Sequence, residues 1–245
     1  MTLDFRLAHR VMGLCLALPL LLLVVTGLPL QFTVALHLGS VGVPYSWVHA
    51  VYGIEAPVTA QRSANVAQLG DLLFLSGASS ESWERVDEPL LGAQKFDQVL
   101  VVVTTNELLL AVPEPGVPIE RTKLPHRAKR FGTTADLHFV LDSESGLLRS
   151  EDYGVSWVRI DSIADGSEVT WLDSTSAPAG AQLKQRYGAV LVTWERWLQD
   201  LHTGRFFGPV GVWIMNIASF VFILLGFTGL VLWYTSRRKS LRRVP

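Results

Sequence analysis

Two stretches of this 245-residue chain contain no charged side chain, and they constrain everything else. Residues 11–32 read MGLCLALPLLLLVVTGLPLQF in their body, and residues 206–236 centre on VWIMNIASFVFILLGFTGLVLWY. A hydrocarbon core of ~30 Å takes roughly 20 residues of helix, so each stretch is long enough to cross it. Pro19, Pro29, Gly27, Gly226 and Gly229 would weaken a water-exposed helix. In lipid they are tolerated, because neighbouring groups recover the freed hydrogen bonds. Charged residues are 18% of the chain, below the ~25% of an ordinary soluble domain.

The flanks set the expected orientation. Arg6 and Arg10 precede the first stretch, and Arg237, Arg238, Lys239, Arg242 and Arg243 follow the second. Asp4 is the one acid at these ends, whereas the segment between them holds 14 bases against 21 acids. The positive-inside bias therefore puts both termini in the cytoplasm of a bacterial inner membrane and the central domain in the periplasm. A cleaved signal peptide is the competing reading of the first stretch. Its apolar run is too long, no A-x-A site follows, and Leu14 stands where a lipobox before Cys15 needs a small residue. Cys15 is the single cysteine, so the outer domain must be held by its core.

The predicted segments are a cytoplasmic N-terminus (1–10), a first transmembrane helix (11–36), a connecting segment (37–64) and a β-rich domain (65–173). A loop with an amphipathic interfacial helix (174–205), a second transmembrane helix (206–235) and a basic cytoplasmic tail (236–245) complete them. The expected class is an α+β membrane protein, two transmembrane helices flanking a mainly-β extracytoplasmic domain.

In the middle, short apolar runs alternate with Gly, Pro, Ser and Asp. Val99-Leu-Val-Val-Val103 and Leu108-Leu-Leu-Ala-Val112 flank Thr104-Thr-Asn-Glu107, which reads as strand, turn, strand. His138-Phe-Val-Leu141 and Leu147-Leu-Arg149 flank a second such turn. Three segments share a leucine pair, a polar turn and a strand carrying x-Arg: Leu72-Leu73 to Arg85, Leu108-Leu109 to Ile119-Glu120-Arg121, and Leu147-Leu148 to Arg159. The pairs are 36 and 39 residues apart, close to one propeller blade. Three units fall short of the ~4–8 blades of a closed propeller, so the expectation is a meander or a partial, propeller-like stack. The third unit contains Ser150-Glu-Asp152-Tyr-Gly154-Val-Ser156-Trp157, which resembles the Asp-box turn of sialidase-like and related β-propellers. Asp152 can accept backbone N–H bonds, Gly154 can take positive φ, and Trp157 can sit beneath the hairpin.

Past residue 180 the pattern turns helical. Leu191, Trp194, Leu198 and Leu201 share one face, and Trp194 and Trp197 suit a membrane interface. Gly204 and Gly208 break that helix, and Pro209 fits the first turn of the next.

The ends resemble a known family. Arg6-Leu-Ala-His9-Arg10, then Gly13 and Thr26-Gly27, is similar to the opening of the PepSY-associated transmembrane family. Asp200-Leu-His202-Thr-Gly204-Arg205, then Gly208, Gly211 and Gly229-Leu-Val-Leu-Trp233, is similar to its closing helix, and Val51-Tyr52-Gly53-Ile54 to a motif of its small two-helix members. The resemblance covers roughly 85 residues, mainly at the two ends; the middle shows no PepSY domain. It implies kinship with four-helix inner-membrane reductases that bind haem through intramembrane histidines and reduce ferric siderophores. Many small members carry Asn-His soon after the first Thr-Gly, where this chain has Gln31-Phe32.

A bis-histidine haem b needs two imidazoles facing each other at one depth. On the predicted topology His37 and His202 share the outer side, while His9 lies alone on the cytoplasmic side. The plainer reading makes His202 a hydrogen-bonding corner residue and His37 an interfacial one. Arg205 has three candidate partners: lipid phosphate, Asp200 and another protein. Gly226 and Gly229 offer close helix approach or simple flexibility. His126-Arg-Ala-Lys-Arg130 is a basic patch, either a solvated loop or a dock for an acidic partner. H-E-x-x-H, G-x-S-x-G, P-loop and paired-cysteine signatures are absent from the sequence.

The expected function is thus a non-catalytic inner-membrane subunit or accessory protein with no cofactor, its β-domain docking a membrane-protein complex partner. The lipid bilayer is its other partner, and nucleic acid is not one. The rival is a haem b electron carrier with His37 and His202 as ligands.

Overall fold

The computed structural model describes residues 5–76, 81–96, 99–112, 120–136, 138–163 and 168–241. Asp4, Ile119, Arg242 and Arg243 lie outside the described residues. The chain divides into two compact units: Met1–Ile54 with Gly188–Pro245, and Glu55–Tyr187.

The first unit is helical. Helix α1 spans Phe5–Gln31, the short α2 spans Ser46–Val51, α3 (Ala181–Leu191) leads in from the other unit, and α4 spans Trp194–Thr203. A 3-10 turn, Arg205–Phe207, and the long α5, Gly208–Leu241, complete it. Within α1 and α5 the spans long and apolar enough to cross a membrane are His9–Gln31 and Arg205–Tyr234, the second taking in the 3-10 turn. The helix ends at Gln31 rather than near residue 36, because residues 32–40 fold into successive turns closed by bonds such as Leu36 N to Phe32 O at 2.8 Å. The single amphipathic helix expected around 191–201 is two helices. Thr193 interrupts it: its backbone bridges to Gly42, and its hydroxyl caps α4 by accepting from Arg196 N at 3.3 Å.

Helices α1 and α5 meet along stripes with three- and four-residue spacing. On α1 the less exposed positions include His9, Met12, Leu16, Pro19, Leu23 and Thr26, and on α5 Gly211, Met215, Ala218, Leu225 and Thr228. That alternation keeps a seam facing a partner helix. The remaining faces are apolar and exposed, as lipid-facing surfaces are.

Among its described residues the second unit carries 14 strands: β1 (Thr59–Ser63), β2 (Val66–Leu69), β3 (Leu72–Ser76), β4 (Glu81–Arg85), β5 (Leu90–Phe96), β6 (Val99–Thr104), β7 (Glu107–Ala111), β8 (Glu120–Lys123), β9 (Ala128–Thr134), β10 (Phe139–Ser143), β11 (Gly146–Ser150), β12 (Val158–Ile160), β13 (Val169–Trp171) and β14 (Thr175–Pro178). They form three antiparallel sheets, ordered β14-β1-β2-β3-β4, β5-β6-β7-β8 and β12-β11-β10-β9-β13. Each contains one four-strand meander, and each leucine pair lies on the third strand of its meander. Register puts the arginine of the following strand opposite one leucine of the pair: Leu72 faces Arg85, Leu109 faces Arg121 and Leu148 faces Arg159.

The second sheet is buried on both faces, which explains its unbroken apolar runs. Leu100 and Val102 join a core with Leu73, Leu75 and Leu90, whereas Val101 and Val103 join another with Phe131, Phe139 and Leu141. Period-two alternation thus feeds two layers from one strand. The first strands of the three meanders are stitched by polar groups. Ser63 Oγ accepts from Ala93 N at 2.7 Å, and Thr133 Oγ1 donates to Gln94 at 3.1 Å. The sheets also extend past residues 65–173. Thr59–Ser63 and Thr175–Pro178 pair with each other along the edge of the first sheet, and their polar sequences carry no strand periodicity to announce them.

Between β11 and β12 the chain turns through Ser150–Trp157. Asp152 Oδ1 accepts from Ser150 Oγ and from Ser156 N, both at 2.8 Å. Gly154 has φ +91°, and a Cβ there would lie 2.5 Å from Leu108 Cδ2. Trp157 donates Nε1 to Gly154 O at 3.0 Å and meets Phe131 edge-on. Arg130 of the basic patch is bound to Asp142 at 3.0 Å and lies over the Trp171 ring, so this member of the patch is a structural residue.

Candidate functional site

The motif residues from the two ends of the sequence converge in the helical unit. Thr26 Oγ1 donates to Leu22 O at 2.6 Å, a common habit of threonine within a helix. The same oxygen is hydrogen-bonded to His202 Nδ1 at 2.9 Å. Thr26 is buried there. Gly27 supplies the seat for the ring, since a Cβ at that position would stand 3.0 Å from His202 Cε1. A matching contact closes the far end of the seam: Thr228 Oγ1 donates to Leu225 O and pairs with His9 Nδ1 at 3.0 Å.

Asp200, two residues before His202, fastens the corner. Its Oδ2 accepts from the Tyr52 hydroxyl at 2.7 Å and its Oδ1 pairs with Arg205 Nε at 3.1 Å. Asp200 is thus one partner of Arg205, among the three that the sequence leaves open. Burial first, and the Asp200 carboxylate second, push the Tyr52 phenol well above its ordinary pKa. Arg196 lies over the same ring at 5.3 Å.

Glycines make the corner compact. Gly204 ends α4 in the left-handed region at φ +79°, and a Cβ there would stand 2.5 Å from Gly211 O. A Cβ on Gly211 would be 2.2 Å from Gly204 O. Gly208, at φ +71°, turns the chain into α5. Tyr45, Trp47, Trp194, Trp197 and Phe206 form a continuous aromatic cluster around the corner, with Trp194 and Trp197 centroids 5.1 Å apart. Amphipathic rings of this kind favour the membrane–water boundary.

His37 is not part of the constellation. It is exposed, at φ +52°, in the turns after α1. Its neighbour Leu38 accepts from Glu195 N at 3.0 Å, near the start of α4, and Glu195 is about 10 Å along the helix from His202. His202 rests on Gly27 and Thr26. The structure does not bring the His37 and His202 rings together. His9 and Thr26 lie about 25 Å apart along α1, so His9 cannot share one iron with His202 either. Arg10 is exposed near the start of the first span.

Sequence reasoning missed both His–Thr contacts and the Tyr52–Asp200 bond. The first could have been sought as single polar side chains inside apolar helices, which need partners in lipid. It also passed over His49, which is buried and bonds Val43 O through Nε2 at 2.8 Å. Among the described residues no cluster of three or more His, Cys, Asp or Glu side chains could hold a metal ion.

The chain matches the family model described as PepSY-associated TM region over residues 3–237, which takes in the β unit as well as both ends. No curated protein and no solved structure matches it. Two membrane-length helices and this match make it a membrane protein in contact with the lipid bilayer.

Proposed function

The chain belongs to the PepSY-associated TM region family, and we propose that it is a non-catalytic, membrane-anchored accessory subunit whose β unit docks a partner within a membrane-protein complex. It sits in the bacterial inner membrane with both ends cytoplasmic and the β unit periplasmic. The observation that carries this reading is what the motif residues do. His9, Thr26, Asp200, His202 and Arg205 each bond another part of the helical unit, and Gly204 is the close contact that lets the corner form.

On the β unit, the docking site is a polar concavity of about 390 Å³ between the loops at one end of the second sheet. Glu88 is fixed in its lining by Thr105 Oγ1 at 2.7 Å and Asn106 Nδ2 at 2.8 Å and pairs with Arg127 at 3.9 Å, and Lys123 and His126 share the lining. A rim of both signs selects a partner of complementary charge pattern. The test is purification of the full chain under mild solubilisation, alongside Lys123→Glu with Arg127→Glu. A stoichiometric membrane-protein partner retained by the wild type and lost by the variant is the expected result. Purification of the chain alone would contradict the proposal.

The second reading, haem-mediated electron transfer, draws on one observation: His9 and His202 each contact a threonine through Nδ1, the bond that orients an imidazole whose Nε2 ligates a metal. It requires a ligand opposite from another chain.

A further inference from the structure

Beside the α1–α5 seam lies an open apolar groove of about 620 Å³. Its lining includes Leu18 and Leu22 of α1, Phe207 of the 3-10 turn, and Gly211, Ile214 and Met215 of α5. We propose that this groove is a binding site for one phospholipid, an acyl chain lying along it and the phosphate reaching Arg205.

Three features select that occupant. The first is chemistry: the lining is almost wholly apolar and belongs to the membrane spans, where hydrocarbon is the surrounding medium. The second is length. On α1 the groove runs from Leu18 to Val25 and on α5 from Phe207 to Met215, which at 1.5 Å per residue is about 10–12 Å. One leaflet of a ~30 Å core offers about 15 Å. A crossing helix from a second copy would need nearly three times the groove's length, ~30 Å. Pro19 lies in the lining, and its missing N–H interrupts the α1 ladder there.

The third is charge. Arg205 lies two residues before the groove-lining Phe207, in the same 3-10 turn. Its contacts with Asp200 and Thr203 use Nε, one of five N–H donors on a guanidinium. With the side chain 62% exposed, phosphate oxygens can reach the terminal nitrogens, the fork geometry that favours arginine for phosphate.

The test is native mass spectrometry of the full chain released from nanodiscs of mixed phosphatidylglycerol and phosphatidylethanolamine. One phospholipid retained after the loosely held lipids have been stripped is the expected result. Leu18→Trp with Ile214→Trp fills the groove from two exposed positions and should lower that occupancy about ten-fold, consistent with losing the burial of a few methylenes. Arg205→Gln should lower it about three-fold, the scale of one exposed charge contact. A wild type that retains no lipid would overturn the site, as would equal occupancy in the groove-filled variant. A lipid-free dimer lost in that variant would put a second copy in the groove instead. Unchanged occupancy in Arg205→Gln would overturn the phosphate contact.

Discussion

In the β unit, one strand supplies both neighbours: Leu100 and Val102 join the core shared with the first sheet, and Val101 and Val103 the core shared with the third. In the helical unit the apolar side chains mostly face outward, and the long-range bonds that close it run between His and Thr at both ends of α1. The contrast follows from the solvent. Water drives apolar strands together, whereas lipid is as apolar as leucine, so helices there associate through close packing and a few polar contacts. The motif residues near the two ends of this chain are therefore the ones that hold its helices, and the β unit is maintained by features any water-facing core would need.

That contrast can be broken by substitutions read separately in each unit by hydrogen exchange of the intact protein. The largest effect is expected from Phe131→Ala, which opens a void beside Phe139 and Trp157. It should cost ~3–5 kcal/mol and strip protection from the β unit alone. Parallel loss across α1, α4 and α5 would contradict two separately held units. Next comes Gly211→Ala, whose methyl would meet Gly204 O at 2.2 Å. Forcing backbone apart should cost ~1–3 kcal/mol, read as faster exchange at the end of α4 and the start of α5.

The Thr26–His202 bond ranks third. Thr26→Val and His202→Ala, alone and combined, should show a coupling of ~0.6–1.7 kcal/mol, the range for such bonds between membrane helices. Additive losses would mean the contact at 2.9 Å carries no stability of its own.

The smallest effects are opposite responses to pH. The Tyr52 phenol is raised, so the fold favours its neutral form. Its contribution is complete below its ordinary value of 10.0 and is lost as pH climbs through the raised one. Asp152 is lowered from 3.8 to about 2, first by the Ser156 hydroxyl, then by the Ser156 N–H and the Ser150 hydroxyl. Its contribution is complete above 3.8 and is lost as pH falls through about 2. Tyr52→Phe should flatten the alkaline response of the helical unit only, and Asp152→Asn the acid response of the β unit only.

What could be read from sequence divides along the same line. Periodicity and length announced both spans, the x-Arg repeat and the runs of the second sheet, because these are local patterns with a direct physical cause. Strands β1 and β14 were invisible, since Thr-Ala-Gln-Arg-Ser and Thr-Ser-Ala-Pro become strands only by pairing with each other across more than a hundred residues. The first helix is expected to reach residue 36, just before His37, whereas turn bonds stop it at Gln31. Arg205 could be narrowed to three partners but not to one, as Asp200 and Tyr52 are joined only by the fold.

The central claim is that His202 is a structural residue of the corner. A reduced-minus-oxidised absorption spectrum of protein purified in mild detergent from haem-replete cells, beside His202→Ala, tests it most directly. The account predicts a flat spectrum for both proteins. A stoichiometric b-type band in the wild type that disappears in the variant would contradict it and make the chain an electron carrier.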